Sequence, residues 1–364
     1  MDSKHGFKRE WNLKKLLGSH ENAHIAFTLS VQSVMGSFLL LILGGWFGLD
    51  PVTNFKNSDA FLPLLGMMIV LMGIGLFKLN MHLGKPHRFY RGFYNLKMSP
   101  VSREIAGVSA FFGGLLGYSF FCLFDGTLAT ILQTLFAGIG LLGLTFGGYY
   151  MYKLYRIEAR PFWNHWYTAA SFSATALTLG SLLITFSALI FGVLSIALAQ
   201  TLLLAFMLGI LLEAVGLMLH AHDMQAQNSE GIASFYEQTT SFAYPYWLRN
   251  GILAIVFALG LAMLSNGNTS VLAYSLLAVL ALASNLISRA LFYVVVIPTT
   301  MPGAFFWKNK GFVEHARESG LADMPQMGVA YEQHHAFKVA NLLKTVTQTS
   351  LQDKWSQFRR VFTG

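Results

Sequence analysis

The chain has 364 residues, 54% hydrophobic and only 12% charged, with a formal net charge of +8. A soluble protein of ordinary composition carries about twice that share of charge, so the numbers point away from a soluble globular enzyme and toward an all-α integral membrane protein. Cys122 is the single cysteine, which excludes an internal disulfide and an iron–sulfur cluster held by this chain alone.

Residues 1–23 form a basic N-terminal segment. The apolar run after it is too long for a signal-peptide core and lacks a small-residue cleavage site, so a retained first span is expected. With about 20 apolar residues needed per crossing, eight spans are predicted over residues 24–48, 60–81, 101–124, 128–152, 166–189, 193–219, 248–265 and 270–298. The fifth and sixth are parted by only a few residues around Gly192 and are read as two crossings. Residues 24–300 are thus expected to form an eight-helix transmembrane domain, followed by an extramembrane extension over 301–364. In that extension Leu351, Trp355, Phe358 and Phe362 recur at helical spacing, with Lys354, Arg359 and Arg360 between them. The pattern suits a helix on a membrane surface or a partner, and equally a solubilising tail.

An even number of spans puts both termini on one side, and the charges sort accordingly. Lys4, Lys8, Arg9, Lys14, Lys15, Lys85, Arg88, Arg91, Lys97, Arg103, Lys153, Arg156, Arg160, Arg249, Lys308, Lys310 and Arg317 fall on the terminal side. The other side has Lys56 as its only basic residue, with Asp50, Asp59 and Asp125. The positive-inside rule makes the termini cytoplasmic; a basic docking surface for an acidic partner gives the same asymmetry. Gly113 and Gly117 in the third span, and Gly143 and Gly147 in the fourth, are paired at four-residue spacing. With Gly66, Gly73 and Gly75 in the second span, they predict closely approaching helices. No internal repeat argues for an inverted-repeat transporter.

The stretch over residues 82–104, HLGKPHRFYRGFYNLKMSPVSRE, is a basic, aromatic-rich hairpin between the second and third spans. His82 closes one span, where Gly84 and Pro86 end the helix. Glu104 opens the next, in the first turn behind a Ser102 cap, which suits either ordinary capping or a functional carboxylate. Lys78, one turn before His82, is read as snorkelling to the interface or as sharing its face with the histidine. Glu213 lies two turns before His220 in the sixth span, with His222 and Asp223 beyond. It fits a proton path to the surface, or a structural ion pair with Arg289 or Lys78. Arg289 sits well inside the eighth span; it cannot shed its charge and must face the bundle interior and find an anion or a carbonyl. His24, His82, His165 and His220 fall at span ends on one face and raise a b-type haem as an alternative. None lies clearly within a span at the matched depth such a haem requires.

HLGKP followed by SREIAG, and LISRALFY in the last span, resemble the membrane anchor subunits of dimethyl sulfoxide reductase-type enzymes, within a wider polysulfide reductase-like anchor family. The resemblance covers residues 24 to about 300. It implies an eight-helix anchor in a bacterial cytoplasmic membrane without redox metal of its own. It also implies two partners, a four-cluster ferredoxin-like iron–sulfur subunit and a molybdopterin catalytic subunit that holds the substrate-converting active site. A quinone or quinol, menaquinone or ubiquinone, would react at a pocket near the docking face, and the family's quinol-site histidine and glutamate match His82 and Glu104. The family usually has a glutamate four residues before the arginine, where this protein has Asn285; that leaves the partner of Arg289 open, with Glu213 the candidate.

The resulting site is His82, Glu104, Arg289, Glu213 and Lys78 for quinone binding and proton transfer, with Lys85, Arg88, Arg91 and Lys97 for docking. Lipid is a further partner, and no nucleic acid or metal is expected. With cytoplasmic termini the catalytic head faces the cytoplasm, which suits sulfite oxidation at least as well as dimethyl sulfoxide reduction. Two alternatives stand beside this reading, a secondary transporter with a buried Glu213/Arg289 site and a haem-bearing anchor.

Overall fold

The computed structural model describes residues 21–81, 83, 85–226, 231–267 and 269–296, with seven positions of the tail (347, 348, 350, 352, 353, 355 and 356). His82, the basic residues before Glu21 and most of the predicted amphipathic tail lie outside the described residues.

Within the described residues the regular structure is helical. In chain order it comprises α1 (Asn22–Trp46), a short α2 (Asp50–Lys56), α3 (Phe61–Met81), a 3-10 segment (Pro86–Phe93), α4 (Pro100–Phe121), α5 (Thr127–Lys153), α6 (Tyr167–Ile190), α7 (Ile196–Gln225), a short α8 (Ile232–Thr239), α9 (Ala243–Asn266) and α10 (Val271–Val294). Eight of these helices are long and apolar enough to cross a membrane, in agreement with the predicted spans. Two bounds differ. α7 runs to Gln225, past the predicted end at 219, and α9 begins at Ala243, before the predicted start at 248. A hydropathy window stops where side chains turn polar, whereas intrahelical hydrogen bonds continue through them. His220, His222 and Asp223 therefore stand on helix, and Arg249 is buried in α9, bonded to Asn250, rather than part of an exposed basic face.

α1 is the innermost helix, with 78% of its apolar window buried against 22% for α5. Its crossing with α6 is set by Gly36 and Gly180. A Cβ on Gly36 would fall 1.8 Å from the Ala176 carbonyl oxygen, and one on Gly180 would fall 2.6 Å from the Ser37 nitrogen. Ser37 Oγ is 2.9 Å from the Gly180 carbonyl it bonds across that crossing.

The α4–α5 contact is as close, but its glycines are not all those predicted. Gly107 meets Gly147 and Gly114 meets Gly140, while Gly143 lies against the Ala110–Phe111 backbone. Gly113 faces open space and Gly117 meets the Phe136 ring; on α3, Gly66 and Gly73 face open space and only Gly75 touches α1. On α4 the contacting glycines are seven residues apart, the repeat that returns a side chain to the same face of a closely aligned pair, whereas on α5 the predicted Gly143 and Gly147 both make the contact.

Consecutive long helices alternate in direction, so one end of the bundle gathers the start of α1, the end of α3, the start of α4 and the end of α5. The opposite end holds α2, where Lys56 Nζ lies 6.0 Å from the Phe61 ring and 5.9 Å from the Tyr118 ring.

Candidate functional site

At the terminal end, a cavity of about 530 Å³ opens between α1, α3, the 3-10 segment, α4 and the residues just after α5. Its walls are mostly apolar, with Phe27, Phe89, Phe93, Ile105, Val108 and Leu154 among them, and its polar groups are His24, Asn80, Ser109, Glu104 and Tyr155.

Glu104 is placed differently from expectation. Ser99, not Ser102, caps α4: its Oγ accepts from the Ser102 N–H at 3.3 Å, and Pro100 occupies the first helical position. Proline's fixed φ starts the helix earlier than the apolar run does. Glu104 consequently falls in the second turn, beyond capping reach, and at 8% exposure it faces the cavity.

The hairpin is tied down beside this opening by Arg103. Its Nε donates to the Leu96 carbonyl at 2.7 Å, its Nη2 to the Lys97 carbonyl, and its Nη1 to the Tyr150 hydroxyl at 3.1 Å. Lys85, Arg91 and Lys97 are exposed on the hairpin and Arg88 is half-buried. Lys78 is exposed on α3 and does not line the cavity, whereas Asn80, two residues on and on another face of the helix, does.

Behind Glu104 the segment after α5 folds into the bundle and buries Tyr155, Phe162 and Trp163. Trp163 Nε1 donates to the Phe292 carbonyl at 2.6 Å, and the hydroxyls of Tyr155 and Tyr293 are 2.8 Å apart. Burial, then Tyr293 and Glu104 nearby, pushes the Tyr155 hydroxyl well above its usual range, against the pull of Arg289. Tyr155 is therefore a neutral hydrogen-bonding group on the cavity wall.

Arg289 is 2% exposed, as its place inside a span demands. Its Nη2 donates to Gln32 Oε1 at 2.9 Å and Thr175 Oγ1 at 3.0 Å, and the guanidinium stands 4.3 Å from the Phe172 ring. Nε and Nη1 have no hydrogen-bond partner among the described residues. Thr175 Oγ1 is also 2.9 Å from Asn285 Oδ1, so Asn285 reaches the arginine only through a hydroxyl.

The expected pairing of Arg289 or Lys78 with Glu213 is not formed. Glu213 Oε1 accepts instead from the Tyr167 hydroxyl at 2.8 Å and the Ser288 hydroxyl at 2.9 Å. Glu213 meets α10 through Ser288, and the next side chain, Arg289, is turned by about 100° around the helix.

At the end of α7, His165 from the segment before α6 joins His220, His222 and Asp223. His165 Nε2 lies 2.9 Å from Asp223 Oδ2, His222 Nδ1 lies 3.1 Å from Asp223 Oδ1, and His220 Nε2 lies 3.0 Å from the Phe162 carbonyl. The backbone N–H of Tyr167 donates to His165 Nδ1, which leaves the proton of a neutral His165 on Nε2, facing Asp223. The His165 and His220 rings touch, with centroids 5.1 Å apart, and leave no slot for a porphyrin between them. No group of three or more His, Cys, Asp or Glu is arranged to hold a metal ion among the described residues.

Three cavity groups do not stand out as site residues in the sequence. His24 is marked there only as a possible haem ligand, although its position at the same end as Glu104 is a usable signal. Asn80 and Tyr155 carry no such signal, because helix rotation and the inward fold of the segment after α5 bring them there.

The profile of the DMSO reductase anchor subunit (DmsC) family matches residues 16–295. The protein is similar to the C subunit of the anaerobic dimethyl sulfoxide reductase of Haemophilus influenzae, 30% identical over 174 residues, or 48% of this sequence and 60% of that protein. It is similar to the YnfH subunit of an Escherichia coli anaerobic dimethyl sulfoxide reductase, 30% identical over 176 residues, and to a C subunit from that organism, 31% identical over 169. Each of these two alignments covers 46% of this sequence and 57% of the relative. The protein thus spans somewhat less than two thirds of the length of the curated relatives it matches.

Proposed function

The chain belongs to the DMSO reductase anchor subunit family, and from that premise we propose that it is the quinone-reactive membrane anchor of a molybdopterin oxidoreductase complex. In this reading it passes electrons between the membrane quinone pool and a ferredoxin-like iron–sulfur subunit, while the molybdopterin subunit converts the terminal substrate. The observation that carries the reading is a buried carboxylate, Glu104, facing a largely apolar cavity beneath a basic hairpin. Its volume of about 530 Å³ lies within the ~300–1,000 Å³ typical of small-molecule sites.

Quinol oxidation releases two protons with two electrons. The apolar walls hold the ring, Glu104 takes a proton from a ring hydroxyl as general base, and Tyr155 offers a neutral hydrogen bond. The electrons leave to a partner's cluster, since a protein with one cysteine cannot ligate one itself. Lys85, Arg88, Arg91 and Lys97, beside the opening, form the docking surface. His82 completes the proposed site by resemblance. Arg289 supports it from behind the tyrosine pair, and Glu213 is assigned to the packing of α6, α7 and α10. The charge asymmetry supports cytoplasmic termini in a bacterial inner membrane. The transporter reading gains no such support, because Glu213 is bonded to Tyr167 and Ser288 while Arg289 is bonded to Gln32 and Thr175.

The test is purification of the native complex in mild detergent, with mass spectrometry of the accompanying proteins and iron and molybdenum analysis. An iron–sulfur and a molybdopterin subunit with both metals is the expected result. A protein that purifies alone and metal-free under conditions that preserve known complexes rejects it.

A further inference from the structure

A carboxylate that takes protons from quinol must also release them. Glu104 holds one proton at a time, is buried, and has to discharge between the two that each quinol supplies. Of the groups lining its cavity, Asn80 does not titrate and Tyr155 is held neutral by burial. The remaining titratable lining residue is His24, whose imidazole is the side-chain type suited to passing protons near neutral pH.

His24 is also the lining residue that connects to an outer acid. Its Nδ1 lies 3.2 Å from Glu21 Oε2, and the two side chains are 34% and 42% exposed. On its inner side the imidazole packs against Tyr293, with centroids 5.9 Å apart, and Tyr293 is in turn held by the Tyr155 hydroxyl. One ring therefore bridges the Glu104 cavity and the aqueous face, braced from within and paired from without. Glu104 and His24 line the same cavity.

We propose that His24 and Glu21 form the proton outlet of the Glu104 cavity, an inference that rests on the quinol reading given above. An O–H bond of the quinol breaks and its proton forms the O–H of Glu104. Glu104 passes it to Nε2 of His24, the proton on Nδ1 leaves to the Glu21 carboxylate, and Glu21 releases it to water. Return of the imidazole to its starting tautomer readies it for the second proton. The electron pair leaves one electron at a time to the iron–sulfur clusters of the partner subunit.

The experiment uses the intact complex with menadiol as electron donor. His24→Ala lowers turnover about 100-fold, the lower end of what a positioned proton-transfer group contributes, still binds menadiol, and is partly rescued by added imidazole. Glu21→Gln, at a half-exposed site at the edge of the bundle, lowers turnover a few-fold and raises the solvent deuterium isotope effect; this keeps the test decisive if His24→Ala does not assemble. Full turnover in His24→Ala, a loss that imidazole does not relieve in an assembled complex that still binds menadiol, or an unchanged rate and isotope effect in Glu21→Gln overturns the outlet. A wild-type complex that does not oxidise menadiol overturns the quinol reading, and the outlet with it. Oxidation that is lost in Glu104→Gln but indifferent to His24→Ala overturns the outlet alone.

Discussion

Glu104 and Glu213 are both 8% exposed and both sit on helices long and apolar enough to span a membrane, yet their surroundings differ. Glu213 has two hydroxyls directed at one oxygen and is enclosed by α6, α7 and α10. Glu104 faces a cavity with an imidazole, an amide and a phenol on its walls. Burial cost is common to the two and therefore does not identify a reactive group. What separates them is whether the surrounding polar groups are spent on the carboxylate or left facing a space that a substrate can fill.

Replacing each residue tests that contrast. The largest effect is expected for Glu104→Gln, which keeps size and removes the base. Quinol-linked turnover of the assembled complex should fall at least ~100-fold, and unchanged turnover with menadiol sinks the assignment. Arg289→Leu comes next. It strips a guanidinium from Gln32, Thr175 and the Phe172 face and should lower complex assembly or quinone affinity, with a stability loss of about 3 kcal/mol for two charge-assisted bonds. Thermal unfolding of the solubilised complex and menadiol titration read both, and normal behaviour in each demotes Arg289 to a passive residue.

Glu213→Gln should be milder, costing about 1–2 kcal/mol as two charge-assisted bonds become neutral ones, with turnover within about twofold of wild type. A loss as deep as that of Glu104→Gln would break the contrast, because the carboxylate held by two hydroxyls would then be reactive too. Lys78→Ala should do least. An exposed lysine at the end of α3 contributes little once its charge reaches the interface, and a turnover assay showing a tenfold loss would return it to the site.

Parts of the site were legible in the sequence because they depend on short stretches. Glu104 stood out as a charge at the edge of an apolar run, and the hairpin as a cluster of basic and aromatic residues. Its cap was misplaced by three residues, since Ser99-Pro100 and Ser102 are both plausible starts and only backbone geometry separates them. The same holds for Gly113, which shares the four-residue spacing of a contact glycine but faces open space, while Gly107 and Gly114 make the contacts.

The sequence by itself determined that the polypeptide has eight segments fit to cross a membrane, that Arg289 lies inside one of them as a charge in need of a reason, and that Glu104 stands at the edge of another. Hydropathy and charge are sums over sequence neighbours, so they survive without knowledge of packing. Only the tertiary structure decided which groups meet. Arg289 finds Gln32 in the first long helix rather than Glu213, Tyr155 turns inward to Tyr293, and His24 joins Glu104 in one cavity. Those pairings depend on how each helix is rotated about its axis, and one residue of register turns a side chain by about 100°.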